Sequence, residues 1–120
     1  MVKLINIVKR KPGITRSQFI QHWQQTHARI AFEDKSFWNR VRKYTQNYAT
    51  STDSQTVWDG VVELWFDSQE DLDAAFAGEE TKNGLIADLD NFIDRTSVIS
   101  IVTEENILYD GEKVRIAGVK

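Results

Sequence analysis

Apolar and polar residues alternate in several short stretches of the chain, the pattern of half-buried β-strands. Stretches of this kind, rich in β-branched and aromatic residues, are predicted as strands at residues 2–9, 41–49, 58–66 and 97–109. Pro12-Gly13 closes the first strand, and residues 51–55 (STDSQ) have the composition of a turn or loop. The chain is therefore expected to form a sheet of four strands.

Helical signals occupy the spaces between these strands. Thr15 and Gln18 have the spacing of a capping box, which predicts a helix from there to about Phe32. Ser68 and Asp71 repeat that spacing and predict a second helix that ends near Gly78. Residues 83–94 place apolar side chains at helical intervals, namely Leu85, Ile86, Leu89, Phe92 and Ile93.

The resulting order, β-α-β-β-α-β, predicts an α+β fold of the ferredoxin-like type, with an antiparallel sheet and helices on one face. Residues 1–120 are expected to form a single domain with a core at about 2–109. Residues 110–120 are expected as a tail that could add an edge to the sheet.

The alternation divides the strand residues into two sets, which predicts two different sheet faces. The set expected to face the helices is apolar: Ile5, Ile7, Val62, Leu64, Phe66, Ile99 and Ile101. The other set mixes polar and apolar residues: Leu4, Asn6, Val8, Val61, Glu63, Trp65, Val98, Ser100 and Val102. This second face is expected to form either half of a ligand cavity, closed by a second sheet, or a plain dimer interface.

The segment FIQHWQQTHARI, residues 19–30, contains both histidines. At ~100° per residue, its predicted core stripe is Phe19, Trp23, Thr26 and Ile30, with His22 and His27 on opposite flanks. A separation of five residues turns the histidines roughly 140° apart on an α-helix, so they are not expected to share a metal ion or a proton. Each is therefore either a hydrogen-bonded boundary residue or, for His27, a group that reaches a cavity mouth. Trp23 is expected in the core or in a cavity wall.

Composition narrows the class of protein without indicating its chemistry. The 120 residues are 41% hydrophobic and 28% charged, and the formal net charge is −3. The lack of cysteine excludes disulfides and thiolate metal sites and favours the cytoplasm. No apolar run is long enough for a transmembrane helix, and the start of the chain is not ordered like a signal peptide. The basic groups at residues 9–11 and 40–43 are expected to be solvated, so neither nucleic acid nor membrane is predicted as a partner.

Several motifs, in order along residues 3–109, resemble the EthD family of the dimeric α/β-barrel superfamily. They are F-x-x-x-W-x-x-x-H (Phe19, Trp23, His27), Y-x-Q-N (Tyr44, Gln46, Asn47), D-G-x-x-E-x-W-F (Asp59, Gly60, Glu63, Trp65, Phe66) and F-x-D (Phe92, Asp94).

The resemblance implies a homodimer in which two ferredoxin-like sheets meet and each protomer keeps a small-molecule pocket between its sheet and helices. The family's namesake accompanies a cytochrome P450 system in bacterial ether degradation. Related members act on aromatic or polyketide-like molecules as decarboxylases, dehydratases, cyclases or lactone isomerases, without metal or organic cofactor.

The resemblance also suggests roles for single residues. His27 is expected as the general acid/base, and Tyr44 and Asn47 as groups that orient a substrate carbonyl or phenol. Tyr48 stands where relatives often have a histidine, so a second acid/base histidine is not expected, and its phenol would donate a hydrogen bond. The other substrate-binding candidates are Trp23, Asn6, Glu63, Trp65, Asp94 and His22. Glu63 could instead pair across strands with Lys43 or Arg42, and Asp94 could bond local backbone or an arginine.

The favoured function is a cofactor-independent lyase or isomerase, without metal, that acts on a small aromatic or polyketide-like carbonyl compound in a homodimer. His27 would move a proton α to a carbonyl, while phenols or amides hold the developing oxyanion. The alternatives are a binding or accessory protein that supplies a hydrophobic compound to an oxygenase, and a structural dimer without chemistry. Direct oxidation of an ether is disfavoured, because acid/base catalysis does not cleave an unactivated ether.

Overall fold

The structure is a computed structural model that describes residues 1–51 and 57–119. The four strands are β1 (Val2–Val8), β2 (Val41–Tyr48), β3 (Gly60–Phe66) and β4 (Ile99–Thr103), all antiparallel in the order β2-β3-β1-β4. This is the ferredoxin-like α+β fold that the sequence predicts. The last strand is shorter than predicted. Residues 52–55 of the predicted turn lie outside the described residues.

The first crossover between strands is one helical run with a change of type at its centre. It consists of α1 (Arg16–Gln21), a π-helical segment (His22–His27) and α2 (Ala28–Glu33), and the short α3 (Lys35–Trp38) follows it. The predicted capping box is confirmed: Thr15 accepts a hydrogen bond from the Gln18 backbone N–H, and the Gln18 side chain accepts one from the Thr15 N–H.

The second crossover begins as predicted with Ser68, which caps α4 (Gln69–Ala77) by accepting a bond from the Asp71 N–H. The predicted helix over residues 83–94 begins and ends earlier than expected, and it changes type along its length. It starts with α5 (Glu79–Thr81) and continues through a π-helical segment (Lys82–Ile86) to a 3₁₀ turn (Leu89–Asn91). A second 3₁₀ turn (Arg95–Ser97) precedes β4.

The strand register corrects the predicted division of the sheet into faces. Leu4 pairs with Leu64 and Asn6 with Val62, whereas Ile5 pairs with Glu63 on β3 and with Ile101 on β4. The helix-facing set is therefore Leu4, Asn6, Val8, Val62, Leu64, Phe66, Val98, Ser100 and Val102. Alternation within a strand identifies the residues that share a face, but only the register shows which sets of neighbouring strands lie together.

Two groups of buried side chains form the core between sheet and helices. One contains Leu4, Ala31, Phe37, Leu64, Phe66, Leu72, Ala75 and Leu85, and the other contains Val8, Phe19, Trp23, Phe92 and Ile93. On the opposite, outer face, Ile99 and Ile101 are 49% and 54% exposed. The tail does not extend this sheet within the described residues; Tyr109 and Val114 bridge each other instead.

Candidate functional site

A cavity of about 90 Å³ lies between the two core groups, on the helical side of the sheet. Its wall is mainly apolar, with Val8, Val62 and Leu64 from the sheet and Ala31, Phe37 and Leu85 from the helical layer. Its polar side chains are Asn6, His27 and Tyr44. An apolar hollow with a few convergent polar groups is the usual form of a small-molecule site. It lies in the layer that the family resemblance implied.

His27 reaches this cavity because it belongs to the buried side of the first helical run. Its residue is 7% exposed, and Phe19, Trp23 and Ala31 are buried at the same four-residue spacing. Thr26, predicted in the core stripe, is exposed. The π-helical segment takes more residues per turn than an α-helix, so residues four apart stay close to one line. The α-helical projection was therefore wrong at this point.

The two histidines converge on one carboxylate. The Nδ1 of His27 lies 2.8 Å from Oδ2 of Asp88, and the Nε2 of His22 lies 2.9 and 3.0 Å from its two oxygens. Both imidazole rings also contact the ring of Phe92, at centroid distances of 4.7 and 4.9 Å. The predicted divergence of roughly 140° is thus wrong, since it assumed α-helical geometry. His22 lies behind the site, and its side chain is 25% exposed.

Asp88 is buried and is held as an anion. Burial by itself would raise the pKa of Asp88, but hydrogen bonds from Asn91, His27 and His22 together lower it below its ordinary value. The Asn91 amide donates to Oδ1 at 2.8 Å. An ionised carboxylate can only accept, so the facing nitrogens of both histidines carry the protons.

This arrangement leaves His27 suited to act as a base. Because Nδ1 carries the proton towards Asp88, the neutral ring has its lone pair on Nε2, for which the described residues provide no hydrogen-bond partner. Burial lowers the pKa of His27, and its contacts with Asp88 only partly offset this effect. His27 is therefore mainly neutral at pH 7.

Tyr44 belongs to a short chain of hydrogen bonds on β2. The Gln46 amide donates to the Tyr44 hydroxyl and to the Trp23 carbonyl, both at 2.8 Å, and the Tyr48 hydroxyl donates to the Gln46 carbonyl at 2.7 Å. Burial raises the pKa of both tyrosines. Tyr44 thus stays protonated at neutral pH and keeps an O–H group that can donate into the cavity it lines. Tyr48 supports Tyr44 from behind.

Trp23 has both of its predicted roles. It is 1% exposed, packs against Phe19 at a centroid distance of 5.3 Å, and lines the cavity. Gly60 leaves room for the indole, since a Cβ there would lie 2.6 Å from Trp23 Cζ3 and 2.6 Å from the Asn47 carbonyl oxygen. The glycine of the D-G pair in the motif is thus explained by the close approach of β2, β3 and the helix.

Three of the predicted substrate-binding residues, Glu63, Trp65 and Asn47, lie on the outer face of the sheet, away from the cavity. Glu63 accepts hydrogen bonds from Lys3, Thr45 and Asn47 at 3.0 to 3.1 Å. The ring of Trp65 lies between two ammonium groups, 4.9 Å from Lys3 and 4.7 Å from Lys43. The cation paired with Glu63 is therefore Lys3, where Lys43 or Arg42 was expected.

Asp94 also lies apart from the cavity wall. It caps the 3₁₀ turn that leads into β4, accepting bonds from the Thr96 N–H at 3.2 Å and the Thr96 hydroxyl at 2.6 Å. This is the local role that was weighed against substrate binding. Within the described ranges, no group of three or more His, Cys, Asp or Glu side chains is arranged to hold a metal ion. The same residues include no helix that is long and apolar enough to span a membrane.

The sequence patterns did not identify Asp88 as a site residue, and they gave Gln46 no role beyond its place in the Y-x-Q-N motif. A signal for Asp88 was present, because a carboxylate there interrupts an apolar stripe formed by Leu85, Leu89 and Phe92. Buried aspartates are rare unless paired, so this position indicates a partner elsewhere in the fold.

Residues 11–96 match the EthD domain. The chain belongs to the EthD family. This match covers the helix with both histidines, the cavity strands β2 and β3, and Asp88. No curated protein sequence matches the chain.

Solved structures of other proteins have the same fold as this chain. A protein of the ethyl tert-butyl ether D (EthD) family from Bacillus halodurans is similar with a TM-score of 0.67 and 21% identity, over 88% of this chain and 99% of that one. A dimeric protein of unknown function and ferredoxin-like fold from Bacteroides fragilis has a TM-score of 0.63 and 13% identity, over 87% of this chain and 95% of that one. HapK from Hahella chejuensis has a TM-score of 0.68 and 12% identity, over 88% of this chain and 93% of that one. At these identities the likeness concerns the fold alone.

Proposed function

We propose that this EthD protein is a cofactor-independent lyase or isomerase that acts on a compact carbonyl compound bound in the cavity. The observation that carries the proposal is the buried Asp88–His27 pair, whose free Nε2 belongs to a cavity-lining ring. An imidazole oriented by a carboxylate in this way is a recurrent general base.

The catalytic step is a proton transfer at carbon. His27 Nε2 takes a proton α to the substrate carbonyl, the C–H electron pair becomes the enolate, and the Tyr44 O–H donates to the developing oxyanion. Asp88 stabilises the imidazolium that forms. In a conjugated enolate, return of the proton from the imidazolium to the γ-carbon gives isomerisation. In a substrate with a leaving group on the β-carbon, the enolate electron pair forms the C=C bond as that group departs and takes the proton from the imidazolium, which gives a lyase reaction.

Cavity size limits the substrate. A cavity of roughly 150 Å³ accommodates benzene, whereas this one measures about 90 Å³. A single small ring, or a chain of similar volume, fits best. A larger aromatic or polyketide-like substrate would extend through the mouth.

The proposal includes a homodimer formed through the outer sheet faces. Ile5 and Ile7 pair with Ile101 and Ile99 in the register, which places four isoleucines in one patch on that face. Such an apolar patch on a sheet is a typical association surface. The Bacteroides fragilis protein of the same fold is described as dimeric.

Exchange of the α-hydrogens of cyclopentanone in D₂O, followed by proton NMR, tests the chemistry. The wild-type protein is expected to accelerate exchange, with a rate that rises with pH through a midpoint below 6.5, because burial lowers the pKa of His27. In the variants His27→Ala and His27→Gln, the acceleration of exchange should be smaller by a factor of about 10²–10⁴. Gln24→Ala, an exposed change in the same helical segment, is the control and should retain it.

Binding of cyclopentanone, measured on the same samples, distinguishes an enzyme from a protein that only carries the ligand. Binding without accelerated exchange by the wild type would support the alternative of a carrier or accessory protein. Equal acceleration by wild type and His27→Gln would show that His27 is not the base.

A further inference from the structure

Asn6 lines the cavity, and its side-chain oxygen is buried without a hydrogen-bond partner among the described residues. Asn6 lies at the centre of β1, opposite Val62 on β3 and Ser100 on β4, and its side chain lines the cavity. Among the described residues, Oδ1 of Asn6 is the buried side-chain nitrogen or oxygen atom for which no partner is found.

An amide in this position is costly to the fold unless something else completes its hydrogen bonds. Buried polar groups in folded proteins are almost always paired, and an unpaired one loses its hydration without compensation. The neighbouring wall residues Val8, Val62 and Val98 have apolar side chains and offer no bond. The missing partner is therefore expected to come from a molecule in the cavity.

The donor or acceptor character of Asn6 and Tyr44 indicates which polar groups the ligand must have. The Asn6 oxygen is an acceptor and requires a donor. The Tyr44 oxygen already accepts from Gln46, so its O–H is left to donate. A ligand that satisfies both groups has a hydroxyl at one position and a carbonyl or similar acceptor at another.

We propose that Asn6 makes the cavity selective for hydroxyl-bearing ligands, so that the substrate is a compact hydroxy-carbonyl compound or its enol. The inference rests on the proposed function in placing the substrate in this cavity. It adds the substrate class and assigns Asn6 as the residue that determines it.

Cyclopentanol, methylcyclopentane and cyclopentanone are suitable probes, since they carry a hydroxyl, a methyl and a carbonyl group on the same small ring. Binding to the full chain is measured by titration of ¹H–¹⁵N spectra. Methylcyclopentane is the most hydrophobic probe and would bind most tightly in a purely apolar cavity. The wild type is instead expected to bind cyclopentanol at least as tightly as methylcyclopentane. Asn6→Leu should lower the cyclopentanol-to-methylcyclopentane affinity ratio about tenfold or more.

The same replacement at Asn47, which lies on β2 and on the outer face, is the matched control and should leave the ratio unchanged. Asn6→Val serves if the leucine variant does not fold. An unchanged ratio in the Asn6 variants would overturn the inference while leaving the cavity as the site. An Asn6-dependent preference for cyclopentanone over cyclopentanol would overturn it as well, by assigning the amide NH₂ to the ligand. Failure of all probes to bind would reject the cavity, and with it the proposed function.

Discussion

At the scale of residues, the central feature is a carboxylate shared by two imidazoles. Asp88 fixes the ring of His27 through Nδ1 and leaves Nε2 for chemistry, while His22 and Asn91 complete its hydrogen bonds. Asp88 is a positioning residue: it acts on the substrate only through His27. Its effect therefore concerns the tautomer and the pKa of that ring.

Asp88→Asn is expected to lower the exchange of cyclopentanone α-hydrogens by roughly 10²–10⁴-fold, because an amide no longer enforces the tautomer with a free Nε2. The pKa of His27 should fall further, since Asp88 raises it in the wild type. NMR titration of the imidazole provides this second readout. Asp90→Asn, an exposed neighbour, is the control. A His27 midpoint that is the same in both variants would contradict the positioning role.

The Asp88 interactions also predict a pH dependence of stability. The pKa of Asp88 is lower in the folded than in the unfolded chain, so its contribution is fully present above the unfolded value. It is lost as the pH falls from the unfolded value through the lower, folded one. Asp88→Asn should therefore flatten the decline of the free energy of unfolding on the acid side, measured by urea titration at several pH values. An acid limb identical to that of the wild type would contradict this assignment.

At the scale of elements, the site depends on how closely the first helical run approaches the sheet. Trp23 of the π-helical segment packs over Gly60 at the start of β3, where no Cβ can be accommodated. Tyr48 meets the indole edge-on at a centroid distance of 5.5 Å. This contact sets the distance between the first helical run and the sheet residues that line the cavity.

Gly60→Ala should therefore destabilise the protein by about 1–3 kcal/mol, the usual effect of overpacking a filled core. Gly84→Ala is the matched control, because a Cβ there meets Ile30 at an ordinary 3.6 Å and helical alanine is favoured over glycine. Urea unfolding compares the two. A loss of stability at Gly84 equal to that at Gly60 would contradict the packing argument.

At the scale of the whole molecule, the sheet has a helical face with the cavity and an outer face with an isoleucine patch. The outer face also carries Glu63, Trp65 and Asn47, which form their own network with Lys3 and Thr45. In the proposed homodimer this face meets its copy. Candidate residues that lie there contribute to assembly more readily than to the cavity.

Ile101→Glu should convert the proposed dimer to a monomer, since it places a charge within the apolar patch. Light scattering after size exclusion, at micromolar concentration, measures the mass. Phe32→Glu adds the same charge at an exposed helical position and should leave the dimer intact. A monomeric wild type would refute the proposal of dimerisation.

The sequence by itself determined the order of elements, both helix starts and the family, because these depend on local periodicity, capping spacing and short motifs. It also singled out His27, Tyr44, Trp23 and Asn6, which the fold brings to one cavity. Tertiary structure decided which strand faces lie together, because register depends on pairing between distant segments. It likewise decided that His22 and His27 share Asp88, since the π-helical turn and an approach across 61 residues are not expressed in any local pattern.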